Sequence, residues 1–381
     1  MKILTVDVGT GTQDIYLYDS RLDIENGLKM VLPAPTMIAY RKLKEATRRG
    51  DTVVLTGVTM GGGPSQWAAE EHLKVGKKIY ATPNAARTFN DDLEFVTSLG
   101  IEIINEEEVG KLPESVTRLN FQDFDFTLIA ETFSRFGVPL DDLAAVAIAV
   151  FDHGAAPPDY SDRQFRFDYI KECIQSKRQL DAFAFLVDDV PPIMTRMLAV
   201  VETTKNIGVP VVLMDTAPAA VLGAMLDSKV IARENNLVAN LGNFHTIAFH
   251  MGLDGIKGIF EHHTGFLDTK KIDGLLRALA DSSLRHEEVF DDHGHGALVI
   301  DFQPFDIDEG EFGVVVTGPR RNLMRKSFLR PYYATPFGDM MITGCFGLLS
   351  ATGELLPEFR EPIQASLVGG EGYGKPPWEN E

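Results

Sequence analysis

The chain has 381 residues, 44% of them hydrophobic and 24% charged, with a formal charge of −19. That length holds two domains with substantial cores, or three. The acidity argues against a nucleic-acid partner, which needs a basic face, and two cysteines, Cys173 and Cys345, cannot build a disulfide framework or a cysteine-rich zinc site.

In chain order, apolar runs at 3–7 and 14–19 read as strands, with a third at 28–33. Asp7 interrupts the first run at once, so no signal peptide is read. A helix is expected at 36–49. The strand 52–55 runs into Met60-Gly61-Gly62-Gly63-Pro64 and a helix at 65–75. A strand at 78–81, a helix at 87–99 and a strand at 101–104 follow, and 105–125 is polar without a clear period. A helix at 127–136 precedes the most apolar strand, 143–151, which ends at Asp152-His153-Gly154. That run is far below the ~20 residues of a membrane span, so a cytoplasmic protein without membrane contact is expected. Helices at 163–178 and 191–206, a strand at 209–214 ending at Asp215, and a helix at 217–226 complete the first set. Apolar runs without a polar alternate suit strands covered on both faces, as in the α/β class.

A second set starts near 231. A strand at 236–240, a turn through Leu241-Gly242-Asn243-Phe244-His245-Thr246 and a strand at 247–251 repeat the plan of residues 3–18. A third apolar segment at 258–261, a helix at 271–281, strands at 297–301 and 312–316 and a helix near 339–352 follow. The tail from Gly369 reads as loosely held.

Several stretches carry chemistry. The turn Gly9-Thr10-Gly11-Thr12 presents backbone N–H groups and hydroxyls into one space, a nest for anions and above all phosphate. Asp7 beside it would repel phosphate unless Mg²⁺ intervenes; the same residues also fit a plain glycine-rich hairpin with a satisfied Asp. Asp152 and Asp215 end apolar strands, where an α/β sheet lines its ligand crevice. Either is a candidate base for an attacking hydroxyl or water, Asp152 first, and either equally fits a helix cap. His153, His262, His263, His293 and His295 occur in Asp/Glu/His clusters, a donor set for Zn²⁺, Mn²⁺ or Fe²⁺ if the clusters meet, with His245 inside the second turn. They also suit polar turns, or acid–base and anion-binding roles. The Met60–Pro64 loop fits a substrate-anion site at a helix N-terminus or a tight packing turn. Trp67 and the aromatic run 121–126 read as core, and Arg320-Arg321 as either a nucleotide contact or a solvated pair.

The order of these pieces resembles the superfamily of acetate and sugar kinases, heat-shock chaperone ATPases and actin, in which two ribonuclease-H-like domains face across a nucleotide cleft. Asp7-Val8-Gly9-Thr10-Gly11-Thr12 resembles the first phosphate loop, followed by Gln13, and Asn240-Leu241-Gly242-Asn243-Phe244-His245-Thr246 resembles the second. Val314-Val315-Val316-Thr317-Gly318-Pro319 resembles the turn beside adenosine. The segments 215–220 and 344–349 resemble the small-residue helices that cross between domains. Asn240 stands where an acid is usual, its Thr comes one position late, and Thr-Gly-Pro replaces the usual double glycine. The whole chain is similar to a prokaryotic family of unknown function in that superfamily, whose members are sometimes labelled pyruvate formate-lyase activating enzymes. The residues speak against that label, since a radical-SAM activase needs three clustered cysteines.

The resemblance implies an α/β protein of two ribonuclease-H-like domains, the first over 1–230 with the C-terminal helix of 336–381 packed back on it, the second over 231–335. It implies ATP and Mg²⁺ in the cleft, with Asp7 on the cation, Gly9, Thr10, Gly11, Thr12, Gln13, Gly242, Asn243 and Thr246 around phosphate, and Thr317 and Gly318 near the base. The expected function is phosphoryl transfer to an unknown small molecule, or ATP hydrolysis. The rivals are a nucleotide-dependent switch acting on a partner protein, and a transition-metal enzyme using the histidines.

Overall fold

In the computed structural model, which describes residues 1–368 and 378, the opening strand Lys2–Val8 turns back into Thr12–Asp19, and Leu28–Pro33 completes an antiparallel meander. The strands Leu143–Val150 and Val211–Asp215 then add in parallel on the other side of Lys2–Val8, and the short strand Ala184–Leu186 closes that edge. In Lys2–Val8, Leu4, Val6 and Val8 enter one core and Ile3 enters another, so both faces are covered. That explains the lack of polar alternation in the sequence.

The second sheet repeats the plan. Asn236–Leu241, His245–Gly252 and Gly255–His263 form the meander, and Val314–Thr317 and Pro331–Tyr333 add in parallel, while Gly296–Val299 extends the far edge. Leaving aside the edge strands Ala184–Leu186 and Gly296–Val299, numbering the strands within each sheet gives the order 3-2-1-4-5 twice, with the second strand antiparallel to the rest. This is the ribonuclease-H-like order, duplicated as in the actin-like ATPase architecture. The proposed division at 230/231 and 335/336 leaves one such sheet on each side.

Two helices join the halves. Thr216–Ala224 and Thr343–Leu355 pack so closely that a Cβ on Gly223 would lie 1.8 Å from the Thr343 carbonyl oxygen. One on Gly347 would lie 1.9 Å from the Ala219 oxygen. Small residues permit that approach. A second helix, Pro357–Val368, follows Thr343–Leu355 and packs on the first sheet, with Ile363 in its core and the Tyr18 hydroxyl donating to the Pro362 oxygen; of the tail read as loose, 369–377 and 379–381 lie outside the described residues.

A third sheet stands apart from these two. Val53–Gly57, Ile79–Ala81, Ile101–Ile103 and Thr117–Phe121 pair in parallel among themselves, with their own core around Leu43, Val53, Leu55 and Phe121. The polar stretch 105–125 supplies part of it: Asn105 and Glu108 form a reciprocal cap on the helix Glu106–Lys111, and Thr117–Phe121 is an edge strand. The helix expected at 87–99 is instead two short ones, Pro83–Ala86 and Leu93–Ser98. No described helix is long and apolar enough to cross a membrane.

Candidate functional site

The two sheets and the inserted one surround a cleft of about 530 Å³. Both meander turns open into it. Each is closed in the same way: Gly9 N–H donates to the Thr12 oxygen at 3.0 Å, and Gly242 N–H donates to the His245 oxygen at 2.9 Å. The ladders resume at Val8 with Gln13 and at Leu241 with Thr246. His245 is thus the counterpart of Thr12, and Asn240 the counterpart of Asp7. The turns meet across the cleft, where a Cβ on Gly11 would lie 3.1 Å from Asn243 Nδ2.

Asp7 sits at the end of its strand, 9% exposed, and accepts a hydrogen bond from the Thr216 hydroxyl. The N-terminus of Thr343–Leu355 presses on it, so a Cβ on Gly344 would lie 1.9 Å from Asp7 Oδ2. Directly opposite in the ladder is Asp14, whose Oδ1 is buried without a hydrogen-bond partner. Burial, then the neighbouring acids, push the carboxyls up, Asp7 to about 6 and Asp14 to about 8. Like charges placed opposite in a sheet repel, and a cation between them relieves this. Asp14 was not singled out in the sequence, although the hairpin register makes it the partner of Asp7.

Thr317 and Gly318 also line the cleft. Gly318 has φ +96°, and a Cβ there would lie 2.5 Å from Asn240 Oδ1, so the turn closes directly over the second hairpin. Gln13 and Thr246 turn away. The Gln13 amide donates to the Pro33 oxygen, and Thr246 shares a buried hydroxyl pair with Thr264 at 2.9 Å. Neither lines the cleft, which corrects the expectation for both.

The two candidate bases both already have hydrogen-bond partners. Asp215 is fully buried, caps Thr216–Ala224 through Ala217 N–H, and is ion-paired with Arg166. It does not reach the cleft. Asp152 borders the cleft, but its oxygens accept the N–H groups of Gly154 and Met197, both at 2.9 Å. An Asp at a strand end fits a cap and a cleft base alike in sequence; Asp215 is a cap, and Asp152 borders the cleft with both oxygens hydrogen-bonded to backbone.

The histidines separate into two groups. His153, His245 and His295 bring ring nitrogens within 4.8 Å of one another, and the His263 ring lies 4.7 Å from His295 and 5.0 Å from His245. His293, by contrast, is exposed on its turn at φ +68° and packs against Phe266. His262 is buried facing Asp292, with Nε2 3.4 Å from the carboxylate. Both therefore leave the expected ligand set.

The Met60–Pro64 loop lines the cleft, with its Gly61 N–H already donating to Asp123, which also binds Arg196. Trp67 is no core residue; it is 55% exposed, lines the cleft and meets Phe244 edge-on at 5.7 Å. Phe121 and Phe124 are buried, as read. Arg87 and Arg321 line the walls, and Arg321 donates to the Gly318 oxygen.

The profile of the family described as "Putative pyruvate format-lyase activating enzyme (DUF1786)" matches residues 60–323, well over half of the chain, and the chain belongs to that family. No curated protein matches it. Among solved structures it is similar to the activator of the 2-hydroxyisocaproyl-CoA dehydratase from Clostridium difficile with bound ADPNP, at 10% identity over 95% of this chain and 98% of that one, TM-score 0.34. It is similar to an exopolyphosphatase-like protein at 12% identity, covering 83% of this chain and 66% of that one, TM-score 0.25. A propionate kinase from Francisella tularensis is similar at 9% identity over 67% of this chain and 56% of that one, TM-score 0.23. The chain spans less than two thirds of the length of the last two.

Proposed function

We propose that this family member binds a magnesium nucleotide in the cleft and transfers or hydrolyses its terminal phosphoryl group. The observation that carries the reading is the meeting of two identically closed turns, one from each of two sheets of the same topology, at Gly11 and Asn243. Thr10, Gly11 and Thr12 on one side, and Asn243 on the other, would hold phosphate oxygens through backbone N–H groups and side chains, while the N–H groups of Gly9 and Gly242 close the two turns. Thr317 and Gly318 would border the base.

The residues fit Mg²⁺. Asp7 and Asp14 offer two facing carboxylates, one with an unpartnered buried oxygen, beside the phosphate turn. Mg²⁺ favours one or two carboxylates together with phosphate oxygens and water, and supplies charge neutralisation there. Arg87 and Arg321 add positive charge to the walls. The two cysteines are buried in separate cores, Cys173 among the helices and Cys345 under the first sheet, so they do not support cluster-based radical chemistry.

The test is calorimetric titration of Mg-ATP into chelator-treated protein. Micromolar binding is expected, weakened at least tenfold by Asp7→Asn. Absence of binding, or equal binding by the variant, rejects the reading.

A second reading, a switch that binds nucleotide without turnover and acts on a partner protein, is favoured by one observation. Asp152 is engaged by the N–H groups of Gly154 and Met197, Asp215 caps a helix, and Asn240 stands where the first hairpin has Asp7. Phosphate release by protein with proven affinity separates the two readings.

A further inference from the structure

At the floor of the cleft, next to the second hairpin, four imidazoles converge from three segments. His153 follows the strand Leu143–Val150. His245 and His263 are opposite one another in the ladder, and His295 immediately precedes Gly296–Val299 on the next strand. The scaffold around them is fixed. His295 N–H donates to the Glu261 oxygen, and Arg163 holds the preceding turn through the carbonyls of Phe290 and Gly294. Phe151 stacks on His245 at 4.1 Å between centroids, with the rings 9° from parallel.

Ring nitrogens of His153, His245 and His295 lie within 4.8 Å of one another, and the His263 ring packs beside them. His295 is completely buried, and neither of its ring nitrogens has a hydrogen-bond partner; the same holds for His245 Nε2. A neutral imidazole always carries one donor and one acceptor, and buried polar atoms are ordinarily satisfied. Each of these two rings offers one lone pair, so an occupant that accepts lone pairs would satisfy two of the three orphaned nitrogens.

We propose that His153, His245, His263 and His295 form a binding site for a borderline divalent transition metal such as Zn²⁺ or Fe²⁺, separate from the carboxylate pair Asp7–Asp14. Imidazole nitrogens select such ions, whereas Mg²⁺ and Ca²⁺ require oxygen donors. The spread of up to 4.8 Å among His153, His245 and His295 is wider than the ~3.3 Å between nitrogens that ~2.05 Å bonds in a tetrahedron demand, so the rings close by small side-chain rotations on binding. Arg166 lies beneath Phe151 and is itself paired with both Asp215 and Glu261, which partly offsets its charge beside the cluster. His153, His245 and His263 face the cleft, so a bound ion is reachable by an oxyanion, phosphate or carboxylate, held there. The proposal goes beyond nucleotide binding and does not depend on it.

The experiment uses untagged protein, stripped with chelator and titrated with Co²⁺ as a spectroscopic probe. One equivalent is expected to bind with visible ligand-field bands, unaffected by excess Mg²⁺. The double variant His245→Ala, His295→Ala should lose at least tenfold in affinity, while His293→Ala binds as the wild type does. Should the double variant fail to fold, thermal denaturation of wild-type protein with and without Zn²⁺ decides: a rise in Tm supports the site, and none overturns it. No uptake by wild type, or equal uptake by the double variant, also overturns it. Asp7→Asn is expected to keep Co²⁺ binding while losing nucleotide, so failure of either proposal is read separately.

Discussion

Asp7 and Asp14 face each other where the first hairpin leaves the core, and their environment works against charge. Both carboxyls are raised from the ordinary 3.8, to about 6 and about 8. A carboxyl whose folded pKa lies above its unfolded value holds its proton more tightly in the folded chain. Stability is therefore fullest below the ordinary value of 3.8 and falls as pH rises through about 8. In metal-free protein, Asp14→Asn should remove most of this loss. Urea denaturation at pH 8 should give the variant on the order of 1–3 kcal/mol more stability than wild type, discounted because the carboxylate is partly open to the cleft. At pH 4 the two should nearly coincide. A variant no more stable at pH 8 would mean the pair is already relieved. Asp7 was legible because it precedes a glycine-rich turn. Asp14 was hidden in plain residues: its meaning comes from the register, which sets it against Asp7 only once the turn length is fixed. His245 was likewise seen as part of a loop but not as a ligand, because ring convergence depends on three segments meeting.

At the scale of elements, glycine means different things in different helices. Gly347 lies against the Ala219 carbonyl across the crossing of Thr216–Ala224 and Thr343–Leu355, whereas Gly274, in the middle of Thr269–Ala280, is exposed and a Cβ there would have nothing within 4 Å. Gly347→Ala should cost about 1–3 kcal/mol or more, since backbone must move to admit the methyl. Gly274→Ala should stabilise by about 0.5–1 kcal/mol through the unfolded chain and helix propensity. Thermal melts of the two variants check this, and equal shifts would refute the close crossing. The small-residue segments at 215–220 and 344–349 were legible as helices made for close approach. The inserted sheet was not. A buried parallel strand such as Val53–Gly57 reads as an apolar run whichever sheet it joins, so the sequence holds the strand but not its neighbours. The meanders were easier, because a short turn between apolar runs dictates both partner and direction.

Across the whole molecule, the cleft is bounded by three sheets, and one contact spans two of them. Trp67, on the helix Pro64–Lys74 of the inserted unit, meets Phe244 of the second hairpin. Ligand held between the turns at Gly11 and Asn243 would alter the spacing of the hairpins, and closure of such clefts is a common response to substrate. The chain has two tryptophans, Trp67 and Trp378, so Trp378→Phe leaves Trp67 as the reporter. Its emission should change on adding Mg-ATP, saturating at the concentration that saturates the calorimetric signal. Saturating nucleotide should also stabilise the fold by about 2.7 kcal/mol at a hundredfold excess over Kd. The two readouts divide the question. A stabilised protein with unchanged Trp67 emission would bind nucleotide between the duplicated sheets while the inserted unit stays still. A matched change in both would tie the inserted unit to the cleft, and with it the Gly61–Gly63 loop and Arg87, which would then close on whatever accepts the phosphoryl group.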